Sequence, residues 1–211
     1  MKMTEILPFA ILLAAVMTVP ALAQNGSFER TLQVSGPVNL DISSGSGTIT
    51  VRTGSNDGVH IAARIYVGNS WLDWLNWFGM STTDEIHRLE SNPPIEQQGN
   101  SIRVGHLDRW RLHNISIDYS VTAPTQTALI SHTGWGDQSI SGLKLASAAT
   151  TGSGSITIKN IDADVHLRAG SGDLTITAVK SLNAQIGSGS IRATQVTGDV
   201  VASTGSGSIE I

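Results

Sequence analysis

Gly152-Ser153-Gly154-Ser155-Ile156-Thr157-Ile158 returns as Gly170-Ser171-Gly172-Asp173-Leu174-Thr175-Ile176, as Gly187-Ser188-Gly189-Ser190-Ile191-Arg192-Ala193 and as Gly205-Ser206-Gly207-Ser208-Ile209-Glu210-Ile211. Gly134-Trp135-Gly136 opens the series, so the Gly-x-Gly marks recur at intervals of 18, 18, 17 and 18 residues. Gly45-Ser46-Gly47 is an earlier, isolated copy. A second alternating run follows within each coil (Val165 to Ala169, Leu182 to Ile186, Val200 to Ser203), and one apolar residue, Ile161, Val179 or Val196, stands between the two runs. Alternation with period two marks half-buried strands, and the super-period is too short to hold a β-α-β crossover. Strands repeated this way bury their apolar sides by stacking, each parallel to the next and ~4.8 Å away. The expected fold is therefore an all-β, single-stranded parallel β-helix, a solenoid of ~18-residue coils.

Glycine suits the corner because a sharp bend between strands calls for φ > 0, which glycine adopts without a Cβ penalty. A flanking serine hydroxyl can bond the exposed backbone there. The competing reading, a phosphate cradle, needs the glycine loop to lead into a helix N-terminus, whereas a strand follows each mark. The stacked interior is aliphatic, since no Phe, Tyr or Trp occurs after Trp135.

The Thr-Gly-Ser-Gly-Ser-Ile-x-Ile coil, the opening Pro37-Val38-Asn39-Leu40-Asp41-Ile42-Ser43-Ser44-Gly45-Ser46-Gly47 and the strand end Val121-Thr122-Ala123-Pro124 resemble the bacterial "putative adhesin" β-helix family, a domain of unknown function related to auto-transporter adhesin head domains. The resemblance covers most of residues 30–211. It implies the solenoid and an exported, adhesin-like role, and it carries no catalytic residues.

Outside the repeat, residues 1–23 read as a signal peptide. Lys2 gives a positive start, an apolar run extends from Ile6 to Val19, and Ala21-Leu22-Ala23 is a small-x-small cleavage signature. That run falls short of the ~20 apolar residues that span a bilayer, and no later stretch is long enough. Residues 24–211 form the expected β-helix domain, with the regular coils at 134–211, exported to the periplasm, the cell surface or the medium. With 13 Lys+Arg against 17 Asp+Glu, the net charge of −4 argues against nucleic acid. The absence of cysteine excludes disulfides, thiolate nucleophiles and zinc–thiolate sites.

Residues 68–99 interrupt the strand pattern as a small helical, Trp-rich insertion. Ser70 caps an expected helix with Trp71, Trp74, Leu75 and Phe78 on one stripe, widened by Leu72 and Trp77. Thr82 and Glu85 form a capping box for a second helix through Ile86 and Leu89, stopped near Asn92-Pro93-Pro94. This hairpin reads either as a cover over an open coil edge or as a contact for a protein or glycan, with Trp71, Trp74, Trp77 and Phe78 as the contact residues. Strands resume at Ser101 to Val104 and at Ile115 to Val121.

Motifs that carry chemistry are few. Neither a G-x-S-x-G elbow nor an H-E-x-x-H motif occurs. His106, Asp108 and His113 match no standard metal spacing. His60 and His166 fall at similar coil positions in distant coils. Asp173 alone sits where a calcium repeat would need an acid in every turn. Arg192 and Glu210, 18 residues apart, are expected to pair across adjacent coils. The coil left open at Ile211 leaves two readings, a chain that continues or end-to-end self-association. The sequence thus predicts a non-enzymatic, adhesin-like protein without cofactor or metal, binding a surface or envelope ligand through its repetitive polar face. The alternative is an envelope structural or regulatory module that binds a protein partner through the Trp-rich insertion.

Overall fold

The second glycine of each Gly-x-Gly mark carries the chain round a corner that other residues resist. In the computed structural model, which describes residues 26–54, 58–67, 82–106 and 115–211, Gly47, Gly136, Gly154, Gly172, Gly189 and Gly207 have φ between 128° and 146°. A Cβ on Gly172 would also lie 2.1 Å from the Gly154 carbonyl oxygen, and one on Gly170 would lie 2.4 Å from the Gly152 oxygen. From Gly134 onward the first glycine of a mark is thus fixed by contact with the strand beneath, and the second by contact and dihedral together.

The elements follow in chain order. The first half comprises β1 (Gly26–Gln33), β2 (Val38–Ser46), β3 (Ile49–Thr53), β4 (Gly58–Val67), α1 (Thr82–Ser91), β5 (Ile95–Gln98), β6 (Ser101–Val104) and β7 (Ile115–Ala123). The second comprises β8 (Thr127–Trp135), β9 (Gln138–Ser141), β10 (Ser147–Ser153), β11 (Ile156–Ser171), β12 (Leu174–Ser188), β13 (Ile191–Val196), β14 (Val200–Ser206) and β15 (Ile209–Glu210). They form one sheet folded into two walls. One wall runs β1-β4-β7-β3-β9, then the first halves of β11 and β12, then β13 and β15. The other runs β5-β6-β2-β8-β10, then the second halves of β11 and β12, then β14. The long strands β11 and β12 cross between walls at Asn160 (φ 55°) and Ala178 (φ 56°); Gln195 (φ 57°) makes the same turn one strand further on.

The sheet is mixed, and this corrects the single parallel β-helix expected from the repeat. β1 runs antiparallel to β4, β4 antiparallel to β7, and β5 antiparallel to β6. The fold is all-β and solenoid-like; parallel ladders also form outside the repeat, at β2·β6 and β3·β7, but the regular series is that of the coils. There Ser147, Val165, Leu182 and Val200 pair in register on one wall and Ile156, Leu174, Ile191 and Ile209 on the other. The physical reason is that period-two alternation is the same for strands of either direction. Direction is dictated where like residues must stack; residues 58–67 have no repeated partner, and residues 115–123 pair antiparallel with β4 on one side and parallel with β3 on the other. The single 17-residue interval is absorbed by a register shift between Ile161 and Asp164.

The core lies between the walls. Ile156, Ile158, Leu174 and Ile176 from one wall meet Val165, Leu167, Leu182 and Ala184 from the other, all buried, each large aliphatic side chain contributing about 1.5–3 kcal/mol of transfer free energy. Two buried polar groups bridge this interior: Ser131 Oγ donates to Gln138 Oε1 at 2.6 Å, and Gln138 Nε2 donates to the Thr150 carbonyl at 2.7 Å.

Within the expected insertion, α1 occupies the place of the second helix, with Ile86 and Leu89 buried. It packs on β1, and Glu90 Oε1 accepts the Ser27 N–H at 3.0 Å, so a helix carboxylate satisfies a donor on a strand at the sheet's edge. Ile95–Gln98, also within the expected insertion, is strand β5. The expected first helix and the signal peptide lie outside the described residues.

Candidate functional site

Alternation on the β2-β8-β10-β11-β12-β14 wall sends every second side chain outward, and in-register parallel pairing lines these side chains up. One outer column runs Ser43, His132, Thr150, Arg168, Gln185 and Ser203. Beside it run Asp41, Ile130, Ala148, His166, Asn183 and Val201. On the opposite wall the outer column is Thr50, Ser139, Thr157, Thr175, Arg192 and Glu210. Neighbouring groups in a column are ~4.8 Å apart. The result is a regular array in which most groups can hydrogen-bond and few are charged, interrupted by Ile130, Ala148 and Val201 in the second column. The Arg192–Glu210 pair forms at 2.9 Å, with both side chains exposed.

The corners carry a device of their own. Asp137 Oδ1 accepts the Ser155 N–H at 2.8 Å, Asp173 Oδ1 accepts the Ser190 N–H at 2.9 Å, and Asp118 Oδ1 accepts the Thr48 N–H at 2.7 Å. Asp173, weighed above as a calcium position, is thus a cap for a backbone amide of the neighbouring strand.

Where β8 lies between β2 and β10, one corner differs from the rest. Trp135 stands opposite Ser46 on one side and Ser153 on the other, and is 68% exposed. Gly45, Gly134 and Gly152 place no side chain beside it, so a groove of about 680 Å³ opens there, with Ser43, His132 and Ser153 also in its walls. Under the same strand segment lies Tyr119, 2% exposed, whose hydroxyl has no hydrogen-bond partner. It lines a space of about 10 Å³ together with Ser43, Ser44, Ser46 and Gly105. Burial pushes its phenol well above the usual tyrosine range, and its ring meets Phe28 edge-on with centroids 6.4 Å apart.

A second polar cluster sits at the far edge of this wall. His106 Nε2 is 3.0 Å from Asp41 Oδ1, and Arg103 lies 3.8 Å from Asp41 and 3.7 Å from Glu96. Arg103 Nη2 approaches His106 Nδ1 at 3.4 Å. Since arginine only donates, Nδ1 accepts and the ring proton faces Asp41. The imidazole therefore links a carboxylate to a guanidinium instead of addressing a nucleophile.

Of the residues singled out in the sequence, Trp71, Trp74, Trp77 and Phe78 lie outside the described residues, as do Asp108 and His113. Among the described residues no three His, Cys, Asp or Glu side chains come together as a metal site. His60 does not occupy a coil position like that of His166. It lies on the antiparallel β4, opposite Thr31 and Thr122, and its Nδ1 is 3.1 Å from Thr31 Oγ1. Trp135 and Tyr119 were not singled out as site residues. The signal for Trp135 was present, since its mark alone has Trp where the other five have Ser.

Comparison with known proteins adds a family. Residues 96–211 match the family described as Toastrack DUF4097, and this match covers more than half of the chain, which belongs to that family. No curated protein matches in sequence. Among solved structures, the chain is similar to a "putative cell adhesion protein" from Clostridium sporogenes ATCC 15579 at 11% identity and a TM-score of 0.44, covering 88% of this chain and 98% of that one. It is similar to a "putative adhesin" from Bacteroides fragilis NCTC 9343 at 12% identity and a TM-score of 0.36, covering 88% and 97%. It is also similar to a "putative lipid binding protein" from Parabacteroides distasonis ATCC 8503 at 7% identity and a TM-score of 0.24, covering 88% and 98%. Among the described residues no helix is long and apolar enough to cross a membrane.

Proposed function

We propose that this Toastrack DUF4097 protein is an exported, non-enzymatic, adhesin-like module of the periplasm or cell surface that binds an envelope or surface ligand through its repeated polar face. Support for export comes from the signal-peptide signature of residues 1–23. The kinship with auto-transporter adhesin heads rests on the resemblance of the Gly-Ser-Gly coil. The observation that carries the binding role is the outer column Ser43, His132, Thr150, Arg168, Gln185 and Ser203, six strands deep and in register. One such group gains little, because it trades water for ligand, about 0.5–1.5 kcal/mol net per hydrogen bond. A line of them meeting a ligand with a comparable repeat converts each further contact into an intramolecular event.

The test is graded substitution. Thr150→Ala, Arg168→Ala and Gln185→Ala are made singly and together, and binding of the full chain to isolated envelope fractions is measured. Each single change weakens binding about two- to tenfold, and the triple change abolishes it at protein concentrations that saturate the parent. Undiminished binding by the triple variant refutes the reading. Envelope binding that depends instead on Trp71, Trp74 and Trp77 would favour the insertion as the partner surface.

A further inference from the structure

We propose that the groove beside Trp135 is a binding site for a neutral sugar ring, a pyranose of a surface polysaccharide. The inference rests on the surface-binding reading above and gives one ligand class a place in it, at a site that the repeat does not require.

Three observations converge. First, the mark containing Trp135 departs from the repeat in the outward direction. Its neighbours Ser46 and Ser153 show that a small polar residue satisfies the corner, so packing does not explain an indole that is 68% exposed. An exposed aromatic face, electron-rich at its centre, suits the C–H face of a pyranose. Second, the groove of about 680 Å³ has the size of a small-molecule site. Among the described residues its lining side chains include no carboxylate, ammonium or guanidinium; they are serine and threonine hydroxyls, the His132 imidazole, the Trp135 indole and Ile115. These side chains offer an ionic ligand no counter-charge, whereas serine hydroxyls, each donor and acceptor, match the hydroxyls of a sugar. Third, the Tyr119 hydroxyl beneath the groove is buried and unpartnered. The space it lines, about 10 Å³, shares Ser43, Ser44, Ser46 and Gly105 with the groove. That is room for one water, which would carry the tyrosine's hydrogen bond upward to a ligand.

The groove and the polar columns make separable predictions. The full chain is titrated with neutral hexasaccharides (cellohexaose, chitohexaose, maltohexaose, mannohexaose) and with acidic hexagalacturonate, by calorimetry and tryptophan fluorescence. At least one neutral hexasaccharide is expected to bind, more tightly than the acidic one. Trp135→Ser installs the residue that neighbouring corners already carry, so the variant folds, yet its binding falls at least tenfold. Trp135→Phe restores most of the loss, and His132→Ala weakens binding several-fold. The inference is overturned if no neutral hexasaccharide binds, if Trp135→Ser binds as the parent does, or if the acidic sugar binds as tightly. Envelope binding that survives Trp135→Ser but fails in the Thr150/Arg168/Gln185 triple variant would overturn this site and leave the array standing.

Discussion

β12 and β4 are both long, half-buried strands, and they are placed by different rules. On β12, every neighbour is a copy at 17 or 18 residues' distance, so Leu174 meets Ile156 and Ile191, and Leu182 meets Val165 and Val200. On β4, the neighbours are β1 and β7, both antiparallel, and Ile61 meets Arg30 and Val121. The repeat imposes direction and register because only parallel, in-register stacking brings glycine onto glycine at each corner. Without a repeat the chain needs only to bury one face, which either direction does: β4 lies antiparallel to β1 and β7, while β7 lies parallel to β3. The functional consequence is that outward columns run in register along the parallel walls, from β2 to β14 and from β3 to β15.

The contrast is broken most severely at a corner. Gly172→Ala places a Cβ 2.1 Å from the Gly154 oxygen at a φ of 132°. The expected cost is more than about 3 kcal/mol, from left-handed strain of roughly 1–2 kcal/mol plus the backbone clash. Gly45→Ala, in the first-glycine column of the same corner line, meets nothing within 4 Å and should change stability by less than about 0.5 kcal/mol. Urea titration of both variants checks the pair. Equal effects would show that the stacked carbonyls do not fix the corner.

An intermediate effect is expected at Gln138, which occupies an inward column otherwise filled by Ile49, Ile156, Leu174 and Ile191. Ser131→Ala leaves the Gln138 amide oxygen without its donor at a cost of about 1–3 kcal/mol, while Ser131→Ala with Gln138→Leu recovers most of it. Thermal unfolding of the single and double variants measures the difference. The smallest effect belongs to Arg192→Ala. The Arg192–Glu210 pair is exposed on both sides, so its loss should cost no more than about 0.5 kcal/mol and vanish in 1 M salt.

What the sequence reveals follows the same division. The period of the Gly-x-Gly marks predicts the parallel register, the Ile161–Val179–Val196 ladder and the Arg192–Glu210 pair, because each depends only on spacing. Thr82, Ile86, Leu89 and the Asn92-Pro93-Pro94 stop suffice to place α1. The direction of β4 and β7 is not legible, since alternation looks the same either way. The burial of Gln138 is not legible from its residue type, because its partners, Ser131 and the Thr150 carbonyl, are brought to it only by folding. Trp135 was hidden by its own motif, for the glycines on either side explain the corner and draw attention away from the residue between them. The capping roles of Asp137 and Asp173 are not legible, because the amides that they cap belong to the next strand.

The central feature of the fold is that one sheet joins a parallel, repeating part to a non-repeating part that contains the antiparallel β1·β4, β4·β7 and β5·β6 ladders. Cysteine pairs test it against no background, since the chain has no cysteine. In the antiparallel β4·β7 ladder His60 lies opposite Thr122 and Tyr66 opposite Ser116, within the Cα separation that a disulfide spans. Mild oxidation should therefore cross-link His60→Cys with Thr122→Cys and Tyr66→Cys with Ser116→Cys. It should leave His60→Cys with Ser116→Cys and Tyr66→Cys with Thr122→Cys reduced. The opposite pattern, in which the latter two pairs close, would mean that β4 and β7 run parallel and that the account of the fold is wrong.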